Sequence, residues 1–132
     1  MSLAAQDRYE AGAEYWKPRP YKITAVKTVH ISKNGAWSNL VSSDETPDVC
    51  AKFVLTQETV KDFFCHARRA SSKEYGHDLD MSRCFASGKL VFANGDKGEW
   101  QIDRERRGVV TLEDGRNLYF YCPNCKNEMF GE

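Results

Sequence analysis

The sequence predicts an α+β domain: an antiparallel sheet of five or six strands, its C-terminal four a meander, with one main helix packed on one face. Three observations lead there. From Lys89 onward, short apolar runs alternate with turn chemistry: Leu90 to Ala93, Asn94-Gly95, Glu99 to Asp103, an Arg-rich break, Val109 to Leu112, Asp114-Gly115, and Leu118 to Cys122. Val60, Phe63, Phe64 and Ala67 recur at i, i+3, i+4 and i+7, the stripe of an amphipathic helix. The length of 132 residues suits one domain, which buries roughly two-thirds of the surface its unfolded chain exposes.

Residues 1–20 read as an extended N-terminal arm. They carry Tyr9, Tyr15 and Trp16 and close with Pro18-Arg19-Pro20, whose prolines disfavour helix in the residues before them. The single domain then spans residues 21–132. Tyr21, Ile23, Ala25, Val29 and Ile31 share one parity of a strand that Asn34-Gly35 ends, and His30 takes a polar position on the other parity. After the polar loop over residues 42–48, Val49 to Leu55 reads as a short strand with Phe53 and Leu55 on one side. Thr56 is an N-cap residue with Glu58 in the first turn, and a helix runs from there to about Ala70. Cys65 and His66 fall off its apolar stripe. Adjacent helical residues point about 100° apart, so these two cannot act as nucleophile and base. Ser71 to Asp80 is a polar connection.

Parity sets the hairpins. Three-residue loops at Asn94-Gly95-Asp96 and Asp114-Gly115-Arg116, with Gly95 and Gly115 left-handed, bring Leu90 opposite Trp100 and Leu112 opposite Leu118. One face then carries Leu90, Phe92, Trp100, Ile102, Val110, Leu112, Leu118 and Phe120, and the helix is its natural cover. The opposite face carries Val91, Gln101, Val109, Thr111, Tyr119 and Tyr121, more apolar than a solvated face needs. Either the N-terminal strand and arm cover it, or it binds a partner.

Composition narrows the functions. With 19 Lys+Arg against 19 Asp+Glu the chain has no net charge, which removes the attraction behind non-specific binding to phosphate backbones and argues against a nucleic-acid partner. No apolar run reaches the ~18 to 20 residues of a membrane span. Five cysteines, Cys50, Cys65, Cys84, Cys122 and Cys125, are an odd set, leaving at least one thiol free. Met1-Ser2-Leu3 reads as an appended leader before Ala4-Ala5-Gln6, so export to the periplasm or medium, with the signal removed, and cytoplasmic residence both fit.

Cys122-Pro123-Asn124-Cys125 admits three chemistries. Zinc would need two more ligands, with Cys84 and His77 foremost among those available beside Cys122 and Cys125. A thioredoxin-like dithiol needs a βαβ unit, for which there is no room after Cys125. A structural disulfide is favoured. Cys84 and the Cys122/Cys125 pair emerge at one end of the sheet, and Cys125, past the strand, can travel furthest toward Cys84. His77, Asp78 and Asp80, with Glu74 nearby, form an acidic loop fit for a divalent ion or acid-base work, or an ordinary solvated turn. Arg104, Arg106 and Arg107 gather at a hairpin tip that reads as a solvated turn or as a contact for an acidic partner surface.

These features favour a small non-enzymatic protein-binding domain without a cofactor, with an exported inhibitor or neutralising partner as one form. It would engage a protein partner or a second copy through Val109, Tyr119 and Tyr121, the Arg tip, or the His77 loop. A zinc domain using the C-terminal pair and an enzyme using His77 are the alternatives.

Overall fold

Cys84–Phe92 buries every second side chain, and Lys97–Asp103, Arg107–Leu112 and Asn117–Tyr121 repeat that alternation, so the four segments form strands with one face turned to a core. They are β3, β4, β5 and β6 of the computed structural model, which describes residues 25–125 and 130. The expected arm over residues 1–20 and the first residues of the first strand lie outside the described residues. Val26–Trp37 is β1 and Arg68–Ala70 is β2. All six strands join one antiparallel sheet in the order β1-β3-β4-β5-β6-β2. Among the described residues, three short helices complete the α+β fold: α1 (Pro47–Cys50), α2 (Gln57–His66) and the π-helical turn α3 (Glu74–Asp78).

Every residue expected on the core face of the meander is buried. Its cover is α2, which sets Val60 and Phe63 into the core and packs Phe64 and Ala67 at its margin. A capping box starts the helix: the Thr56 hydroxyl accepts the Thr59 amide while the Thr59 hydroxyl accepts the Thr56 amide. It ends at His66, earlier than the expected Ala70. Ala67 turns extended, and Arg68–Ala70 pairs with Tyr121, Phe120 and Tyr119 of β6, whose edge would otherwise be unpaired. Gly108 makes room for the docking, since a Cβ there would sit 2.6 Å from the Phe63 ring.

The loops at Gly95 and Gly115 have three residues, but each begins one residue earlier than expected. Phe92 donates its amide to Asp96 and Leu112 to Arg116, so Leu90 faces Gly98, Gly88 faces Trp100, and Val110 faces Leu118. The third loop position is the left-handed one (φ 95° at Gly95 and 93° at Gly115), a conformation glycine takes at least cost. A two-residue shift preserves parity, which is why the two faces stand. The third hairpin, between Asp103 and Arg107, repeats the turn with Arg106 at φ 71° in the glycine position.

Two N-terminal expectations change. Asn34-Gly35 does not end β1; the strand runs through it with register shifts, and the Asn34 side chain clasps both the amide and the carbonyl of Leu55 while Gly35 donates to Phe53. Residues 49–55 are accordingly not a sheet strand. Thr46 caps α1, and the following stretch lays Phe53 and Leu55 into the core. Midway along β3, Gly88 lets the edge strand β1 approach so closely that a Cβ would lie 1.8 Å from the His30 carbonyl. That carbonyl and the Lys89 carbonyl accept the buried Trp100 indole N–H at 3.3 and 3.2 Å.

Candidate functional site

The sheet face away from α2 is divided. Over β6 and the Arg107 end of β5 it is covered by α3. The Tyr75 ring lies 4.7 Å from the Tyr119 ring, and the Arg107 guanidinium lies 4.2 Å over Tyr75 while its Nη1 donates to the Tyr75 carbonyl at 2.8 Å. Arg68 covers Tyr121 at 5.3 Å and is ion-paired with Glu74. Burial pushes the Tyr75 hydroxyl up to about 12. Tyr119 and Tyr121 are therefore half-buried, and their cover is α3 and Arg68. The expected cover, the N-terminal strand, joins the edge of the sheet instead as β1.

Across β1, β3, β4 and β5 the same face is open. A trough of about 750 Å³ runs between Thr28 and His30 on one side and Glu99 and Thr111 on the other, with Lys89 and Val91 on its floor. An adjoining depression of about 390 Å³ reaches Ser87, Gln101 and Val109. Alternation puts these side chains on one surface, which the two depressions hollow. It offers hydrogen-bonding groups, an adjacent cation and anion in Lys89 and Glu99, and the valine side chains of Val91 and Val109. Of the expected binding residues, Val109 belongs to this open half.

The Arg tip is not a solvated turn. Arg107 and Asp103 are buried together, Arg107 Nε donating to Asp103 Oδ2 at 2.8 Å, and the carboxylate also accepts the amides of Ser82, Glu105 and Arg107. Burial drives the Asp103 carboxyl up to about 6, against the pull of Arg107 and these donors. Arg104 is paired with Glu45 at 3.0 Å, and Arg106 Nε donates to the Cys125 carbonyl at 2.8 Å. Glu45 also accepts the Ser82 hydroxyl and the Arg83 amide. These cations hold the molecule together at this end.

The cysteines pair differently from expectation. Cys84 is bonded to Cys50, with Cα atoms 4.7 Å apart, and Cys122 to Cys125. Cys84 and Cys122 both point into the core at the same end, but β4 and β5 separate their strands, and α1 brings Cys50 directly against the start of β3. Cys65 is free and exposed, and the neighbouring His66 turns its Nδ1 to the Asp62 carbonyl. The zinc alternative loses its ligands, because Cys84, Cys122 and Cys125 are all in disulfides. His77, Asp78 and Asp80 are exposed on and just after α3, and among the described residues no three His, Cys, Asp or Glu side chains gather to hold a metal ion.

No protein-family model matches the chain, and neither the curated proteins nor the solved structures give a match. Among the described residues no helix is long and apolar enough to cross a membrane. Sequence reasoning missed two things: that Tyr75 is the lid over Tyr119, and that His30, Lys89 and Glu99 line the open trough. The second was accessible in principle, because all three lie on the parity opposite the core. The first depended on where a polar connection folds back.

Proposed function

We propose that this protein is a non-enzymatic binding domain that receives a protein partner on the open half of its sheet. The carrying observation is the trough between β1 and β5, a concave surface on rigid strands with mixed hydrogen-bonding, charged and β-branched side chains. Its charge is balanced by Lys89 and Glu99, which suits a polar protein surface better than a phosphate backbone. Two disulfides, one fully buried, favour an oxidising compartment and with it an exported inhibitor or neutralising partner. The test places a photocrosslinking residue at Gln101, with Lys61 on α2 as control, in the native cell. A discrete adduct at Gln101, to another protein or a second copy, that is absent at Lys61 and lost with Val109→Glu is expected. Labelling that is absent, or equal at both positions, would overturn the proposal.

A further inference from the structure

The Cys122–Cys125 disulfide has an unusual setting for a structural bond. Only three positions separate its cysteines, against 34 for Cys50–Cys84, so it constrains little of the unfolded chain. The turn carrying it is held by the backbone. Cys125 donates its amide to the Cys122 carbonyl, Cys122 donates to the Arg106 carbonyl, and Arg106 Nε returns to the Cys125 carbonyl. None of these three hydrogen bonds runs through a sulfur atom.

The bond also borders a groove of about 320 Å³ between α2 and the C-terminal turn. Phe63 and Phe130 line it with Asp62, His66 and Asn124, and the partly buried Cys125 lines it too, while Cys122 is fully buried. A carbonyl only accepts, so the His66 nitrogen held on Asp62 O is the protonated one, and Nε2 is the basic nitrogen. A partly buried disulfide cysteine, an imidazole and an apolar floor thus share one cleft.

We propose that Cys122–Cys125 is a thiol–disulfide exchange site whose co-reactant is a dithiol, with His66 assisting proton removal. One thiol of the co-reactant loses its proton to His66 and attacks Cys125 Sγ. The Cys122–Cys125 bond breaks, its electron pair goes to Cys122 Sγ, which is then protonated, and a mixed disulfide forms on Cys125. The second thiol attacks the co-reactant's sulfur in that mixed disulfide and releases Cys125. Two electrons and two protons move to the protein, and the dithiol leaves as a disulfide. The reverse sequence oxidises the protein.

The test uses the full chain carrying Cys65→Ser, so that only the four paired sulfurs report. The folded protein is treated with dithiothreitol, quenched with an alkylating reagent, and mapped by mass spectrometry, with circular dichroism followed in parallel. Cys122 and Cys125 are expected to be alkylated at least about tenfold faster than Cys50 and Cys84, with the fold retained. His66→Ala is expected to slow that phase by about threefold or more at fixed pH, without changing the thermal midpoint. Loss of both disulfides at one common rate, or a His66→Ala rate equal to that of the parent, would overturn the proposal.

Discussion

Two carboxylates at one end of the sheet respond to acid in opposite senses. Asp103 is buried, and its carboxyl is raised from the ordinary 3.8 to about 6. The fold therefore favours its neutral form. The stability it contributes is complete below the unfolded value and is lost as pH rises through about 6. For Glu45, burial alone would raise the carboxyl, but the Arg83 amide, the Ser82 hydroxyl, Arg104 and Ser43 outweigh it and hold the group below its ordinary value. Its contribution is present above that ordinary value and fades as pH falls through the lowered one. In urea titrations, wild type should lose stability relative to Asp103→Asn between pH 4 and pH 6.5, whatever constant cost the neutral amide imposes on buried Arg107. Glu45→Gln should cost more at pH 7 than at pH 4, and equal costs at the two pH values would contradict the assignment.

At the level of elements, close approach of backbones decides which positions tolerate a side chain. Gly88 faces the His30 carbonyl, which cannot move without detaching β1, whereas Gly108 faces the Phe63 ring, which can rotate. Gly88→Ala should therefore destabilise at or beyond the top of the ~1 to 3 kcal/mol range for overpacking, and Gly108→Ala less, as thermal midpoints would show. Thr56→Ala removes the cap of α2 and should cost about 1 kcal/mol in the same measurement. Arg106 keeps a left-handed conformation that glycine takes freely, and its Nε ties the C-terminal turn. Replacement by glycine relieves the backbone while releasing that tie, so the two effects oppose each other.

For the molecule as a whole, the two disulfides differ in weight. Cys50–Cys84 links α1 to the first residue of β3 across 34 positions, which in the chain-entropy treatment stabilises by about 3 to 4 kcal/mol. Replacing both cysteines by alanine should lower the urea midpoint accordingly, while Cys122→Ser with Cys125→Ser should cost about half as much or less. A larger loss for the C-terminal pair would mean that the pair holds the turn instead of being held by it.

Much of this architecture follows from local pattern. The alternation in residues 90–120 determined both faces of the meander, because a side-chain period of two survives even the two-residue register shift at Gly95 and Gly115. The Val60, Phe63, Phe64 and Ala67 stripe determined which side of α2 meets that core, and Thr56 determined where it starts. The candidate site was less accessible. Val109 and the polar parity of β3 and β4 were readable from the sequence, but Tyr75 over Tyr119, Arg107 Nη1 on the Tyr75 carbonyl, and Cys50 against Cys84 all join segments far apart in the chain. Periodicity reports which way a side chain points within its own element. Only the tertiary structure decided which element stands opposite it, and therefore which cysteines bond, which arginines are bound internally and which half of the sheet is left open.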